Sequence, residues 1–142
     1  MKNVENFDEG FGRNLNTLFG HSEFKGMGGK LVQSVTLSDD KTEITFLFKD
    51  KSKAIFRTEG DCCSHSWIEY LTVPDDIEGQ ELISVEDSCI AREDDGGFDV
   101  LQVYNTKFHT AKGDIIIEYR NSSNGYYGGY LIRVDENGKR IY

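Results

Sequence analysis

Proline, cysteine and long apolar runs are all scarce in this sequence, and each shortage excludes a class of protein. One proline against fifteen glycines argues against extended linkers and favours many tight turns. Three cysteines, an odd number with two adjacent, do not make the framework of a disulfide-stabilised secreted domain. No apolar run approaches the roughly 20 residues that span a bilayer, and the first residues lack the apolar core of a signal peptide. These shortages predict a cytoplasmic protein that has reduced thiols and does not enter a membrane.

Positive charge is also in short supply. The 142 residues include 16 Lys and Arg against 25 Asp and Glu, which gives a net charge of −9. Nucleic-acid binding depends on clustered cations that neutralise phosphates, so this balance argues against direct binding to DNA or RNA. The charge suits a protein that meets a basic surface on a partner.

Aromatic residues and alternating apolar positions are what the chain does have. Aromatic residues make up 12% of the sequence, which favours a pleated, half-buried surface. The period-two pattern over residues 31–37, 43–48 and 54–58 predicts a three-stranded antiparallel meander. Further strands are predicted at 82–85, 89–91, 100–110, 114–120 and 126–135, with tight turns at 112–113 and 137–138.

Two segments carry a helical pattern. Apolar residues recur at helical spacing over 7–19 and predict a short amphipathic arm, followed by a glycine-rich loop. At 64–72, Ser66 and Glu69 match a capping box, and Trp67 begins an apolar stripe. The sequence therefore predicts an α+β fold with an antiparallel sheet of six to eight strands, one packed helix and an N-terminal helical arm. Residues 1–29 would form the arm and loop, and residues 30–142 a single domain.

The segment Cys62-Cys63-Ser64-His65 allows three interpretations. Two thiolates and an imidazole could bind a metal, but adjacent cysteines are not the usual zinc spacing and no fourth ligand is marked. A cysteine at a helix start could be a nucleophile with His65 as its base, but no third catalytic group is evident. The favoured interpretation is structural, with the thiols filling the junction beneath Trp67. No metal or other cofactor is predicted.

Two other stretches are candidates for binding. Glycines flank Tyr126, Tyr127 and Tyr130, and this arrangement is typical both of a recognition platform and of a bulged strand. Residues 75–99 are strongly acidic and include Asp94 and Asp95 beside glycines. Those acids could bind calcium or imitate a nucleic-acid backbone, but they lack EF-hand spacing, and a solvated edge is the simplest interpretation.

Two motifs carry a resemblance to a known family. The segment Gly60-Asp61-Cys62-Cys63-Ser64-His65-Ser66-Trp67 and the later Asn124-Gly125-Tyr126-Tyr127-Gly128-Gly129 resemble a family of small uncharacterised phage and bacterial proteins. Its marks are a Gly-Asp-Cys-Cys-Ser-x-Ser-Trp box and a Ser-Asn-Gly-Tyr-Tyr stretch, and the similarity runs from about residue 31 to 131. The resemblance implies a phage accessory protein that binds and disables a host factor, and it assigns no catalytic residue. His65 falls at the variable position of the box.

The resulting hypothesis is a non-enzymatic binding protein, namely a phage-encoded inhibitor of a host or anti-phage defence component. One alternative is a thiol- or metal-dependent enzyme centred on Cys62, Cys63 and His65. Another is a sponge that traps a small nucleotide signal between subunits, with Arg120 or Arg133 in its pocket. The expected partner is a host protein, with a small-molecule ligand and homo-oligomerisation left open. The predicted binding residues are Tyr126, Tyr127, Tyr130, Asp94, Asp95 and Arg120, and the predicted structural motif is Asp61, Cys62, Cys63, Ser64, Ser66 and Trp67.

Overall fold

A computed structural model describes residues 24–60, 64–94, 100–123 and 129–141, and every element in these ranges is a β-strand, turn or irregular segment. Eight strands are present in this part of the chain. Their bounds are β1 (Val32–Leu37), β2 (Glu43–Phe48), β3 (Lys53–Gly60), β4 (His65–Thr72), β5 (Ser84–Asp94), β6 (Val100–Thr110), β7 (Gly113–Ser123) and β8 (Gly129–Val134).

The strands form two antiparallel sheets of four strands each. The first sheet has the order β1-β2-β3-β8, and the second has the order β4-β7-β6-β5. The chain passes from the first sheet to the second between β3 and β4, and it returns between β7 and β8. The pairs β3–β8 and β4–β7 therefore join strands that are far apart in sequence.

The core lies between the two sheets. Phe46 and Phe56 project from the first sheet and Phe108 from the second, and all three are fully buried. The ring centroids of Phe46 and Phe108 are 4.8 Å apart, and Phe24 packs against Phe56 and Phe108. Burying each such side chain contributes about 1.5–3 kcal/mol. The alternation of apolar and polar residues along each strand thus produces a β-sandwich.

Local turn chemistry closes the hairpins. Gly113 has a φ of 130°, and a Cβ built there would lie 3.2 Å from Cγ of Pro74. The β6–β7 turn therefore requires glycine both for its backbone conformation and for the close approach of Pro74. The first sheet uses Lys41 and Lys51 at positive φ in its two hairpin turns.

The prediction of a helix at 64–72 is wrong, because these residues form β4. The apolar stripe arises from a strand with a bulge. The register of β4 against β7 shifts between Ile68 and Tyr70, so Glu69 is an extra residue. This shift returns Leu71 to the inner face of the sheet, three residues after the fully buried Ile68. A bulged strand therefore imitates helical spacing, and the α+β class is corrected to all-β for the described residues.

Other strand predictions have mixed outcomes. The β1–β2–β3 meander is confirmed, as is the long β6–β7 hairpin with its turn at 112–113. The single sheet is wrong, since the strands divide into two sheets. In place of the two short strands predicted at 82–85 and 89–91 there is one strand, β5, which begins at Ser84 and has a register shift between Cys89 and Ala91.

Some predictions are not addressed by the fold. The helical arm at 7–19 lies outside the described residues, so it and the boundary at residue 29 stay predictions. In the part of the chain that the structure describes, no helix is long and apolar enough to cross a bilayer.

Candidate interaction surface

The strand register brings the ends of three predicted functional segments to one end of the sandwich. Asp94 pairs with Val100, Val100 with Ser123, and Ser122 with His65. Gly60 pairs with Gly129 at the corresponding end of the first sheet. Of the predicted site residues, Asp61, Cys62, Cys63, Asp95, Tyr126 and Tyr127 lie outside the described residues, and only the backbone is described for Asp94 and Tyr130. Their roles, including the thiol or metal alternative, stay predictions.

The predicted residues Trp67 and Arg120 are brought together on the outer face of the second sheet. Trp67 of β4 lies directly opposite Arg120 of β7, and Tyr70 lies opposite Glu118. The bulge at Glu69 places that residue on the same face, where it contacts both Trp67 and Arg120. We call this set the Trp67 surface, and its members are His65, Trp67, Glu69, Tyr70, Glu118 and Arg120.

Direct contacts order the Trp67 surface. The rings of His65 and Trp67 are stacked with centroids 5.2 Å apart. Nε1 of Trp67 donates a hydrogen bond of 2.8 Å to Oε1 of Glu69. The ring of His65 covers a face of the indole and the carboxylate of Glu69 holds its Nε1, so the two contacts together restrict the rotamer of Trp67.

Arg120 connects the two strands of the surface. Its Nη2 and Nε donate to Oε2 of Glu118 at 2.8 and 3.2 Å, and its Nη1 lies 3.9 Å from Oε1 of Glu69. Its guanidinium also lies over the ring of Tyr70, 5.9 Å from the centroid. The side chains of Arg120 and Glu118 are 26% and 19% exposed, so water screens their pairing less than it screens a fully exposed ion pair.

A partly buried polar network lies on the other side of the same strands. Oγ of Ser66 donates to Oδ1 of Asn121 at 2.7 Å, and Nδ2 of Asn121 donates to Oε1 of Gln102 at 3.3 Å. Asn121 is fully buried, so these bonds satisfy groups that water cannot reach. Ser66 of the predicted motif thus joins β4 to β7 from inside, while Ser64 directly precedes β4.

The described acids of segment 75–99 do not share one surface. Glu78 pairs with Lys49 at 2.6 Å, and the hydrogen bond from Lys49 lowers the pKa of Glu78. Glu86 lies 3.7 Å from Nε2 of His109 on the outer face, whereas Asp87 accepts a hydrogen bond from Thr106. The fold therefore distributes these charges instead of gathering them.

His109 is a contact that sequence reasoning missed. Its Nδ1 lies 2.7 Å from Oδ1 of Asp114, while Glu86 faces Nε2 on the opposite side of the ring. The two carboxylates therefore do not converge on one point. Among the described residues, no group of three or more His, Cys, Asp or Glu is arranged to hold a metal ion.

The two arginines considered for a nucleotide pocket lie on different sheets. Arg133 is on β8, where it donates to the carbonyl of Lys25 at 3.2 Å and covers the ring of Phe56. Its partial burial lowers the pKa of its guanidinium. A groove of about 450 Å³ lies beside it and is lined by Lys51, Ser52, Lys53, Ile55, Arg133, Val134, Asp135, Glu136, Asn137 and Ile141. Arg120, on the outer face of the second sheet, does not contribute to this groove.

Comparison with known proteins places the described region in a family. The model of a domain of unknown function, DUF7448, matches residues 25–132. The chain belongs to this family. It is 30% identical over 106 residues to the uncharacterised protein L278 of Acanthamoeba polyphaga mimivirus, a match that covers 70% of the chain and 83% of the mimivirus protein. No solved structure matches the chain. The DUF7448 match includes every residue of the Trp67 surface, and the viral relative confirms a resemblance to an uncharacterised family of viral type.

Sequence reasoning missed Glu69, Tyr70 and Glu118 as members of the surface. Glu118 and Arg120 are two residues apart on a predicted strand, which indicates a shared face. Tyr70 carries no such signal, because the pattern over residues 64–72 predicts a helix, which would not place it opposite Glu118. The sequence does not show that β4 pairs with β7, and it is this pairing that brings the members of the Trp67 surface together.

Proposed function

We propose that this chain is a non-enzymatic binding protein, encoded by a phage or related virus, that inhibits a host protein or defence component. It docks on that protein through the Trp67 surface. The observation that carries the proposal is the ordered group of Trp67, Tyr70 and Arg120 on one exposed sheet face.

The residue types on this surface are those that dominate protein–protein binding. Trp, Tyr and Arg are enriched among the few residues that provide most of the binding energy at interfaces. Tyr70 is 56% exposed, and it is one of the four large apolar or aromatic side chains that stand out of the described surface. Because hydrogen bonds and ring contacts already hold Trp67 and Arg120, binding costs little side-chain entropy.

The viral setting has separate support. The mimivirus relative is a viral protein. The Gly-Asp-Cys-Cys-Ser-x-Ser-Trp box and the Asn124-Gly125-Tyr126-Tyr127 stretch resemble motifs of small uncharacterised phage and bacterial proteins, and this resemblance supports the same setting. In this proposal the chain acts by occupying a host factor, and a net charge of −9 suits contact with a basic surface on that factor.

Comparative affinity capture tests the proposal. The wild-type chain, Tyr70→Ala and the matched control Ile83→Ala are immobilised and exposed to a bacterial host lysate. Ile83 is 59% exposed but lies outside the Trp67 surface. We expect one protein to be retained by the wild type and by Ile83→Ala, with affinity for Tyr70→Ala lowered by about 2 kcal/mol or more, the range of an interface hot spot.

Two results would contradict the proposal. One is a captured protein that binds Tyr70→Ala as tightly as the wild type, because its contact would then lie elsewhere. The other is that no protein is retained at stoichiometric amounts by the wild type.

A further inference from the structure

We infer that the partner presents a Lys or Arg side chain from a basic protein surface, and that Glu69 and Tyr70 receive it. This inference rests on the proposed function and names the chemistry of its partner. It follows from the charge balance, the orientation of one carboxylate and the exposure of one ring.

The Trp67 surface has more negative than positive charge. Glu118 and Glu69 share one guanidinium, that of Arg120. The pairing is unequal, since the closest contact to Glu118 is 2.8 Å and the contact to Glu69 is 3.9 Å. Arg120 is therefore committed mainly to Glu118, and the charge of Glu69 is only partly compensated.

The carboxylate of Glu69 is oriented by contacts that, among the described residues, involve only one of its two oxygens. Its Oε1 accepts the indole hydrogen of Trp67 and lies near Arg120. Its Oε2 accepts no hydrogen bond from the residues that the structure describes. The side chain is 28% exposed, so an incoming cation can reach it. A charge-assisted hydrogen bond to a fixed carboxylate is stronger than one between neutral groups.

Tyr70 supplies a second feature that favours a cation. Its ring already has one guanidinium within 5.9 Å, yet the residue keeps 56% of its surface exposed. An aromatic face next to a carboxylate binds ammonium and guanidinium groups through both the ring quadrupole and the ionic charge.

The net charge of the whole chain also favours a partner with a basic surface. A net charge of −9 attracts a basic surface at long range and repels an acidic one. Long-range attraction and the local contact at Glu69 thus both favour a Lys or Arg side chain on a basic surface. An acidic or purely apolar docking element would leave Oε2 of Glu69 buried without a partner, which is costly.

Fluorescence of the single tryptophan provides a local probe of binding. Trp67 is the only tryptophan in the chain, so its emission reports on the proposed site. The full chain is titrated with a nona-arginine peptide and with a nona-glutamate peptide. We expect a saturable change with nona-arginine that weakens with added salt, and no change with nona-glutamate.

Matched charge variants separate the site from the general field of the protein. Glu69→Gln removes one negative charge but keeps an oxygen that can accept the Trp67 hydrogen bond. Glu136→Gln removes the same charge from the turn after β8, where Glu136 is exposed and pairs with Lys53 at 3.5 Å. We expect Glu69→Gln to weaken nona-arginine binding about fivefold or more, and Glu136→Gln about twofold or less. Unchanged thermal unfolding of both variants verifies that each is folded.

Each alternative outcome overturns the inference. If both variants weaken nona-arginine binding equally, the peptide responds to net charge alone. If Glu69→Gln binds nona-arginine as tightly as the wild type, the carboxylate of Glu69 takes no part in the contact. A similar response to nona-glutamate would exclude charge recognition. If lysate capture depends on Tyr70 but not on Glu69, the proposed function stands and this inference fails. If capture itself fails, the proposed function is the one contradicted.

Discussion

The two faces of the second sheet differ in burial and in the contacts that their side chains make. The inner face carries Phe108, Ile117 and Asn121, all fully buried between the sheets. The outer face of the same strands carries the Trp67 surface, whose members are partly exposed and joined by polar contacts. Because successive side chains of a strand point to opposite faces, neighbouring residues on one strand can serve stability on the inner face and binding on the outer face. Substitutions on the inner face should therefore change stability, and substitutions on the outer face should change binding.

The largest effect should come from the inner apolar face. Phe108→Ala leaves a cavity beside Phe46 and Phe24, whose rings it contacts, and should lower the free energy of unfolding by about 3–5 kcal/mol. Lys107→Ala, the neighbouring position on the outer face, is the control and should change it by less than about 0.5 kcal/mol. Urea unfolding measures both. A loss below about 1 kcal/mol for Phe108→Ala would mean that the sheets do not share the core described above.

An intermediate effect should come from the inner polar network. Asn121→Ala removes the acceptor of Ser66 and the donor to Gln102, and it leaves these two partly buried side chains without those hydrogen bonds. The expected loss of unfolding free energy is about 1–3 kcal/mol. Ser122→Ala, one residue along β7, provides the comparison by the same urea measurement. If Asn121→Ala and Ser122→Ala lose the same unfolding free energy, the inner hydrogen bonds add no stability beyond that of the outer face.

Low pH should change the stability that Asp50 contributes, and this residue lies outside both faces of the second sheet. The hydroxyl and amide of Ser52, together with Lys30, lower the pKa of Asp50 to about 2. An aspartate with a lowered pKa stabilises the fold above its unfolded pKa of about 3.9, and that contribution is lost as the pH falls through about 2. Asp50→Asn should therefore be less stable than the wild type at pH 6, and the two should converge between about pH 4 and pH 2. The pH dependence of the urea midpoint checks this, and a difference that stays constant with pH would contradict it. The effect should be small, because the carboxylate is exposed.

The smallest change in stability should come from the outer face. Tyr70→Ala removes an exposed ring, so its unfolding free energy should stay within about 0.5 kcal/mol of the wild type. The same variant is expected to lose partner capture. Thermal unfolding and capture measured on one preparation test both statements. A loss of several kcal/mol would show that this face belongs to the core and would weaken its assignment as a binding surface.

Local patterns in the sequence were sufficient for the hairpins. Ile44, Phe46 and Phe48 alternate on β2, and their alternation predicted both the strand and the face that it buries. Gly113 marked the β6–β7 turn because a tight turn there needs its backbone freedom. These features depend on neighbours along the chain, so a single sequence reveals them.

The division into two sheets depends on contacts that the sequence does not mark. Ile55 pairs with Val134 and Trp67 with Arg120, and no local pattern shows which distant strands will meet. The capping-box match of Ser66 and Glu69 was misleading for a related reason. Pairing with β7 satisfies the backbone of this segment, so tertiary context overrides a weak local preference for helix. The same pairing places Arg120 beside Trp67, and no pattern in the sequence predicts that contact.

The strand order also determines when the protein can fold during synthesis. β4 has no partner until β7 is made, and the free edge of β3 has none until β8 is made, so the second sheet is completed by β7 and the first sheet only by β8. Until then the nascent chain exposes open strand edges, which invite pairing with other chains. Because two of the six strand pairings in the described chain, β3–β8 and β4–β7, join distant positions, we expect slow folding for a domain of this size. Its yield on overexpression should therefore depend on chaperones and on low temperature.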